Sequence, residues 1–342
     1  VIPARVGIHP AAVGVVLQED GPTIGRAHDE PEEGAMRRFL IDTDTASDDA
    51  VALIMALRAP DVTVEALTIV AGNVPLDRCI QNALYTAELC GSPVPVHAGL
   101  ARPIFRELIS AEIVHGQDGL GDIGLDLSGR TPADGHAVDV LVETICGSPG
   151  EITLVTLGPL SNVGTALLRE PALAGAVAHC YIMGGTGRLP GNVTPAAEYN
   201  IYADPEAARI VFESGMPITM VGWDVSWSCA FVGPDGEARL RAIGTPYSDF
   251  TCDIQRALTE FVGRMSGVEG FDLPDPLAMA VALDPDIAET ADFYVEVVPG
   301  DGPARGQTIV DFIGVTGKPA NASVVTHVEP EAFMASLCTA LS

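Results

Sequence analysis

Four aspartates lie within eight residues at the end of an apolar run, in "FLIDTDTASDDAVALIMAL" (residues 39–57). Asp42 and Asp44 are two apart on a predicted strand end, so their side chains share a face. Asp48 and Asp49 begin the next predicted helix, whose N-terminus favours anions. Capping explains one or two acids but not four, because grouped carboxylates repel one another unless a cation or shared protons compensate. The spacing therefore predicts a site for a divalent metal, and all-oxygen ligands favour calcium or magnesium.

The composition excludes several classes of protein. Apolar residues make up 47% of the chain and charged residues 19%, which is typical of a globular protein. The net charge is −28 with a single lysine, Lys318, so we expect neither a nucleic-acid nor a membrane partner. The seven cysteines are scattered and form no C-x-x-C pair, which predicts reduced thiols without zinc. With no apolar run of membrane-spanning length and no signal-peptide pattern, we expect a cytoplasmic protein.

Strand-like and helix-like segments alternate from Phe39 onward. "FLIDTD", "VTVEALTIV", "EITLVTL", "AHCYIMGG" and "ITMVGWDV" are strand-like, and amphipathic segments separate them. This alternation predicts an α/β fold with an open, mixed, mostly parallel sheet flanked by helices. Residues 1–37 are predicted to be an N-terminal extension of unknown role, and residues 38–342 a single domain. Ligands of such sheets bind at the carboxyl ends of the strands, where the acids lie.

"DTDTASDD" resembles the D-x-D-P-G-x-D-D signature of the nucleoside hydrolase family, the inosine-uridine-preferring N-ribohydrolases, with Thr45 and Ala46 in place of Pro-Gly. Further motifs of that family follow in order: "VAGN", "VHGQDGLG", "LVTLGPLSN", "MGG", "GNVTPAAEYNIYADPEAA" and "PDPLAMA". The resemblance extends from Phe39 to the C-terminal helix. It implies a Rossmann-like nucleoside hydrolase core, a small-molecule ribonucleoside as substrate, a role in nucleoside catabolism and salvage, and a homodimer or homotetramer.

The resemblance also implies a calcium site. Asp44, Asp49 and Asp275 would bind the ion together with the backbone carbonyl of Leu157, while Asp42 would support the loop. A carbonyl at a strand end is a plausible calcium ligand. Taken alone, Asp275 is equally compatible with a helix N-cap ahead of "PLAMAVAL".

Other motif positions would contact the sugar. Glu198 and Asn200 are two apart in "EYN", so on an extended segment both would face the ribose. Any one of the asparagines alone is also typical of a turn. The substrate-binding residues that the resemblance implies are Asp48, Asn73, Met183, Asn192, Glu198 and Asn200.

The side of the site that faces the base is less clearly marked. His115 has a family counterpart near the base and is a candidate catalytic residue. Many family members carry a histidine directly before the late aspartate, where this chain has Pro274, so the proton for the leaving base must come from elsewhere. The candidates for stacking on the base are Trp223, Trp227 and Phe271, although core burial is the commoner role of large aromatic residues.

The resemblance implies calcium-dependent hydrolysis of an N-glycosidic bond, with an oxocarbenium-like transition state and a metal-bound water activated by Asp44 as general base. Two alternatives stay open. A haloacid-dehalogenase-like phosphatase would use Asp42 as nucleophile with magnesium, but it requires a lysine, and Lys318 lies near the chain end. A non-catalytic ribonucleoside-binding protein would have lost the chemistry along with the histidine.

Overall fold

The structure is a computed structural model that describes residues 36–342. The predicted extension at residues 1–37 therefore lies almost entirely outside the described residues, which begin one residue before the first strand. The strands are β1 (Arg37–Thr43), β2 (Val62–Ile69), β3 (Val96–Ala98), β4 (Ile152–Thr156), β5 (His179–Met183), β6 (Ile218–Val221), β7 (Phe231–Val232), β8 (Phe271–Asp272), β9 (Ala288–Phe293), β10 (Val295–Val297), β11 (Thr308–Val310) and β12 (Ala322–Val328).

Eight strands form one sheet in the order β3-β2-β1-β4-β5-β6-β12-β9. Neighbouring strands are parallel except for β9, which pairs antiparallel with β12. The predicted open, mixed, mostly parallel sheet is confirmed. The other four strands lie outside this sheet: β10 and β11 pair in a separate ribbon, and β7 and β8 form another.

Helices pack on both faces of this sheet. The connections between the parallel strands contain helices, as crossovers in such sheets require. The helices are α1 (Ser47–Arg58), α2 (Leu76–Leu89), α3 (Glu112–His115), α4 (Ala137–Gly147), α5 (Ser161–Arg169), α6 (Leu173–Ala176), α7 (Tyr199–Ala203), α8 (Pro205–Phe212), α9 (Trp223–Cys229), α10 (Pro234–Arg241), α11 (Pro246–Asp253), α12 (Arg256–Ser266), α13 (Pro274–Leu283) and α14 (Pro330–Leu341).

The core has two layers, because successive side chains of each strand point to opposite faces. On β1, Phe39 and Ile41 pack in the layer that holds α1 and α13, whereas Leu40 packs in the layer that holds α5 and α8. On β4, Leu154 and Val155 divide between the layers in the same way. Continuous apolar strands are therefore explained by burial on both faces.

The strand order reverses between β1 and β4, and the helices that follow these strands, α1 and α5, pack on opposite faces of the sheet. In α/β sheets such a switch point forms the crevice in which ligands bind. The two ends are tied together, since the Leu157 N–H donates to the Asp42 carbonyl at 2.8 Å. The predicted acidic segment and the predicted Leu157 carbonyl thus meet at this crevice.

The expectations from composition concerned membrane-spanning segments and cysteines. None of the helices within residues 36–342 combines the length and apolar composition needed to cross a bilayer. All seven cysteines lie within the described residues and are unpaired.

Candidate active site at the carboxyl edge of the sheet

The acid loop, residues 42–49, joins β1 to α1 and is almost completely buried. Asp42 supports this loop, because one of its carboxyl oxygens accepts hydrogen bonds from Thr68 Oγ1 at 2.7 Å and Asn162 Nδ2 at 2.9 Å. Burial raises the pKa of Asp42 to about 7. The side chain is therefore bonded to the neighbouring strand β2 and to helix α5.

Asp44 is held in a narrow space formed by two glycines. Its Oδ2 accepts the Asn73 backbone N–H at 2.7 Å, while its Oδ1 is buried without a partner among the described residues. A Cβ at Gly72 would lie 2.0 Å from Oδ2, and one at Gly158 would lie 2.5 Å from Oδ1. Only glycine at these two positions leaves room for the carboxylate.

Asp49 turns back over the start of α1. Its oxygens accept hydrogen bonds from Thr43 Oγ1 at 2.5 Å, the Ala46 N–H at 2.9 Å and Asn73 Nδ2 at 3.2 Å. Because Ala46, the residue before the helix, has no polar side chain, Asp49 supplies the capping acceptor itself. The carboxylate is thereby fixed at the floor of the crevice.

Asp275 reaches the same point from α13. That helix begins at Pro274 with Leu273 as its N-cap residue, so the alternative that Asp275 is an N-cap is wrong. One oxygen from each of Asp48, Asp49 and Asp275 lies within 4.8 Å of the others. These three side chains could hold a metal ion, and the predicted ligand Asp44 lies beside them, within electrostatic reach of Asp49 and Asp48.

A bound cation would compensate the grouped negative charges of this cluster. Burial first, and then the neighbouring carboxylates, raise the pKa of Asp44 and Asp275 well above the usual range, and burial raises that of Asp48 and Asp49 to about 6. Within residues 36–342, the buried Asp44 Oδ1 and Asp48 Oδ1 atoms have no hydrogen-bond partner. Since buried charges in proteins are paired or coordinate metals, an all-oxygen set with open oxygens fits a hard divalent cation.

Several residues predicted to contact the ribose meet at the ends of β4 and β5. Asn200 Nδ2 donates to the Leu157 carbonyl at 2.8 Å and the Met183 carbonyl at 3.3 Å. Glu198 accepts the backbone N–H groups of Asn200 at 2.7 Å, Gly185 at 2.8 Å and Ile201 at 3.2 Å. These contacts place Leu157, Met183, Glu198 and Asn200 together.

The expectation of an extended "EYN" segment is wrong. Glu198 is the N-cap residue of α7, and Asn200 lies in its first turn. The cap brings the two side chains together instead, because the Glu198 carboxylate folds over the free N–H groups that begin the helix. Burial raises the pKa of Glu198 to about 7.

The remaining predicted polar residues lie around the crevice. Asn73 bridges the loop after β2 to Asp44 and Asp49. Asn192 is exposed, and its side-chain oxygen accepts the Tyr199 N–H at 2.9 Å.

His115 ends α3 and is buried, with its Nδ1 2.9 Å from Ser47 Oγ and 3.7 Å from Asp48 Oδ1. Burial lowers the pKa of His115 to about 4, so the imidazole is neutral at pH 7. It therefore faces the acid loop as a neutral hydrogen-bonding group.

The predicted aromatic residues differ in exposure. Trp223 and Trp227 lie one turn apart on α9, half-buried, with ring centroids 5.5 Å apart. The ring of Phe231 follows at 5.2 Å from Trp227. Phe271 is 1% exposed within the core, so its ring offers no free face to a base in this structure.

Several residues that shape the site were not predicted from the sequence. Gly72 and Gly158 surround Asp44, and Thr68 and Asn162 hold Asp42. Gly72 stands next to Asn73 in "VAGN", and Asn162 ends the motif "LVTLGPLSN", so both could have been found from the motifs. Asp272 was also missed, although it lies three residues before Asp275; it is buried, and burial raises its pKa to about 7.

Comparison with known sequences identifies the family. The family model "Inosine-uridine preferring nucleoside hydrolase" matches residues 39–335. The chain belongs to this family. The pyrimidine-specific ribonucleoside hydrolase RihB of Shigella flexneri serotype 5b (strain 8401) is 37% identical over 297 residues, which are 87% of this chain and 94% of the relative. RihB of Escherichia coli (strain SE11) matches to the same extent.

Solved structures agree with this assignment. A plant nucleoside hydrolase, PpNRh1, superposes with a TM-score of 0.84 at 33% identity and covers 90% of this chain and 99% of its own. A purine-preferring ribonucleoside hydrolase from Gardnerella vaginalis gives 0.82 at 30% identity, covering 89% and 98%. This nucleoside hydrolase is therefore an enzyme, an N-glycosyl hydrolase. The phosphatase and non-catalytic alternatives are wrong.

Proposed function

We propose that this nucleoside hydrolase cleaves ribonucleosides to ribose and free base, depends on calcium, and uses Asp44 to activate the attacking water. The observation that carries the proposal is the buried acid cluster at the switch point of the sheet, bordered by Asn73, Glu198 and Asn200. Its substrate would bind in the crevice at the carboxyl ends of β1, β4 and β5.

The residues that would hold calcium are Asp44, Asp49, Asp275 and the Leu157 carbonyl, with Asp48 adjacent. All offer oxygen, the donor that calcium prefers. The Leu157 carbonyl already accepts one hydrogen bond from Asn200, and a carbonyl oxygen has a second lone pair for a cation. A calcium ion bound there would acidify a water molecule and orient the hydroxyls of the ribose.

Asp44 has the geometry of a general base. Its Oδ2 accepts the Asn73 N–H, whereas Oδ1 has no hydrogen-bond partner in the part of the chain that the structure describes and can accept a proton. The tight fit against Gly72 and Gly158 keeps that oxygen in one orientation. The surrounding carboxylates would also stabilise the positive charge that develops on the ribose in the transition state.

The sugar would be held by Asn73, Asn192, Glu198 and Asn200, with Asp48 and Met183 beside them. Glu198 and Asn200 are preorganised, since the cap of α7 fixes one and two carbonyls fix the other. Such positioning supports catalysis because it holds the reacting carbon near its attacking group.

His115 is proposed to assist departure of the base. It hydrogen-bonds Ser47 and lies beside Asp48 in the acid loop. Pro274 stands at the position where many family members carry a histidine, so His115 is the candidate that remains.

We also propose a homodimer or homotetramer, a cytoplasmic location and a role in nucleoside salvage. Because the RihB relatives are named pyrimidine-specific, uridine and cytidine are the first substrates to test.

The test is release of free base from uridine, cytidine, inosine, adenosine and guanosine, with calcium present or chelated. We expect calcium-dependent release by the wild type and none above background by Asp44→Ala. If fully calcium-loaded wild type releases no base from any of the five, the proposed substrate class is wrong. If Asp44→Ala keeps its rate, the role of Asp44 is wrong.

A further inference from the structure

Asp272 is a buried carboxyl that the proposed reaction does not use. It ends β8, is 5% exposed, and lies three residues before Asp275. Its Oδ2 accepts a hydrogen bond from Ser226 Oγ at 3.0 Å and its Oδ1 accepts the Leu273 N–H at 3.0 Å, while the nearby Trp223 side chain partly offsets the rise of its pKa. Both Ser226 and Trp223 are on α9, remote from Asp272 in sequence.

The aromatic segment, residues 223–231, is held at its start by this carboxyl. Trp223 is the first residue of α9, and the Ser226 hydroxyl lies 3.0 Å from both the Trp223 carbonyl and the Asp272 carboxylate. The rings of Trp223, Trp227 and Phe231 follow one another along the segment. Asp272 and Ser226 therefore form a clamp on the first turn of α9.

The clamp adjoins the proposed substrate site on two sides. The Trp223 N–H donates to the Gly185 carbonyl at 2.9 Å, and the Gly185 N–H donates to Glu198 at 2.8 Å. On the other side, the charge of Asp48 in the acid loop acts on Asp272. Trp223 is only half-buried, so part of this residue is open to solvent, one backbone hydrogen bond away from the residue that Glu198 binds.

We propose that Asp272 is a positioning residue that, together with Ser226, fixes the Trp223 indole as the wall on which the leaving base stacks. This inference rests on the proposed function. A nucleobase is a flat aromatic ring, and offset stacking on an indole suits it. Because Asp272 and Ser226 hold the helix turn that carries Trp223, the position of the indole is set before the base binds, and less ordering of the ring opposes binding.

The experiment uses the fact that the chain has two tryptophans, Trp223 and Trp227. In a Trp227→Phe background, intrinsic fluorescence reports on Trp223. Two ligands separate the subsites: an iminoribitol, which mimics ribose without a base, and its C1-phenyl derivative. We expect the phenyl derivative to change the emission of Trp223, and the iminoribitol to leave it unchanged.

Asp272→Asn should weaken binding of the phenyl derivative but not binding of the iminoribitol. We expect inhibition by the phenyl derivative to weaken about tenfold, the equivalent of one hydrogen bond to a charged group, and its fluorescence response to disappear. Inhibition by the iminoribitol should change by less than about twofold, because the ribose contacts are untouched. Ser226→Ala should act in the same direction and provides a second test should Asp272→Asn fail to fold.

A double mutant tests whether Asp272 acts through Trp223. If it does, adding Asp272→Asn to Trp223→Leu should cost little beyond Trp223→Leu alone, since the two residues form one unit. Asp204→Asn is the matched control: Asp204 is a fully buried carboxyl with three hydrogen-bond donors, at the cap of α8. Asp204→Asn should lower the melting temperature without changing the ratio of inhibition by the iminoribitol to inhibition by its phenyl derivative.

The outcomes also separate this inference from the proposed function. Equal weakening of both ligands by Asp272→Asn, or no weakening of either, overturns the inference while nucleoside hydrolysis by the wild type stands. Additive effects in the double mutant overturn it as well. Failure of the wild type to release base from any ribonucleoside overturns the proposed function instead.

Discussion

The acid loop and the aromatic segment lie at the same edge of the sheet but are built in different ways. The acid loop places four carboxylates within eight residues at the end of β1 and the start of α1, and hydrogen bonds from neighbouring residues hold Asp42, Asp44 and Asp49. The aromatic segment is half-buried and is held at one end by Asp272, about fifty residues later in the chain. The acid loop is therefore a rigid group of charged side chains, whereas the aromatic segment is an apolar surface held by a residue distant in sequence.

The largest effect is expected at Asp44. Asp44→Asn removes the acceptor for the water proton while keeping the size of the side chain, so we expect kcat to fall by about 10³-fold. The measurement is steady-state release of base from uridine at saturating calcium. Retention of even a tenth of the wild-type kcat would contradict the assignment of the general base.

Asp42→Asn is the matched control, because Asp42 is equally buried two residues earlier. Its bonds to Thr68 and Asn162 identify it as a support for the loop. We expect a lower melting temperature and a much smaller loss of kcat in the folded enzyme. A loss as large as that of Asp44→Asn would mean that the two aspartates act as one unit.

The next effect is expected from Gly72→Ala. The new methyl would lie 2.0 Å from Asp44 Oδ2, so the carboxylate must move, and misplacing a reacting group by about 1 Å can cost about 100-fold in rate. Gly175→Ala on α6 is the matched control, since a Cβ there meets no atom of the described residues within 4 Å. We expect base release to fall only in the Gly72 variant, and equal rates in both would show that Asp44 tolerates the shift.

These two regions also show how much of the site the sequence could predict. The acid loop could be read directly, since its chemistry and its strand-to-helix setting lie in eight consecutive residues. Asp275 needed the family resemblance, because a helix N-cap explained it equally well until the helix was seen to begin at Pro274. The mostly parallel sheet followed from alternation alone, because continuous apolar strands require burial on both faces.

The other parts were beyond local reasoning. The arrangement of Glu198 and Asn200 was predicted for the wrong backbone, because period two suggested a strand where a capped helix begins. The contact between Asp272 and α9 joins elements that only the tertiary fold brings together. Side chains that act through distant partners leave no spacing signal in the sequence.

Calcium should stabilise the acid loop measurably. At a calcium concentration ten times its Kd, binding to the folded state alone should add about 1.4 kcal/mol to the free energy of unfolding. Asp49→Asn should abolish this calcium-dependent stabilisation, because it removes a buried carboxylate from the cluster. Thermal melts with calcium and with chelator measure it, and Asp204→Asn should lose equal stability in both. A calcium effect that survives in Asp49→Asn would place the ion elsewhere.

The smallest effect separates the ribose side from the base side. In Glu198→Gln the amide N–H₂ must face either the Asn200 N–H or the pair of N–H groups from Gly185 and Ile201, so at least one hydrogen bond is lost. The loss of one hydrogen bond costs about 1 kcal/mol, which predicts roughly fivefold weaker inhibition by both the iminoribitol and its phenyl derivative. Asp272→Asn should weaken only the phenyl derivative. Since both carboxyls are buried and both accept backbone N–H groups, a general loss of stability would affect the two variants alike, whereas this difference in ligand selectivity requires two distinct subsites. If Glu198→Gln weakened the phenyl derivative alone, the ribose and base sides would have to be exchanged.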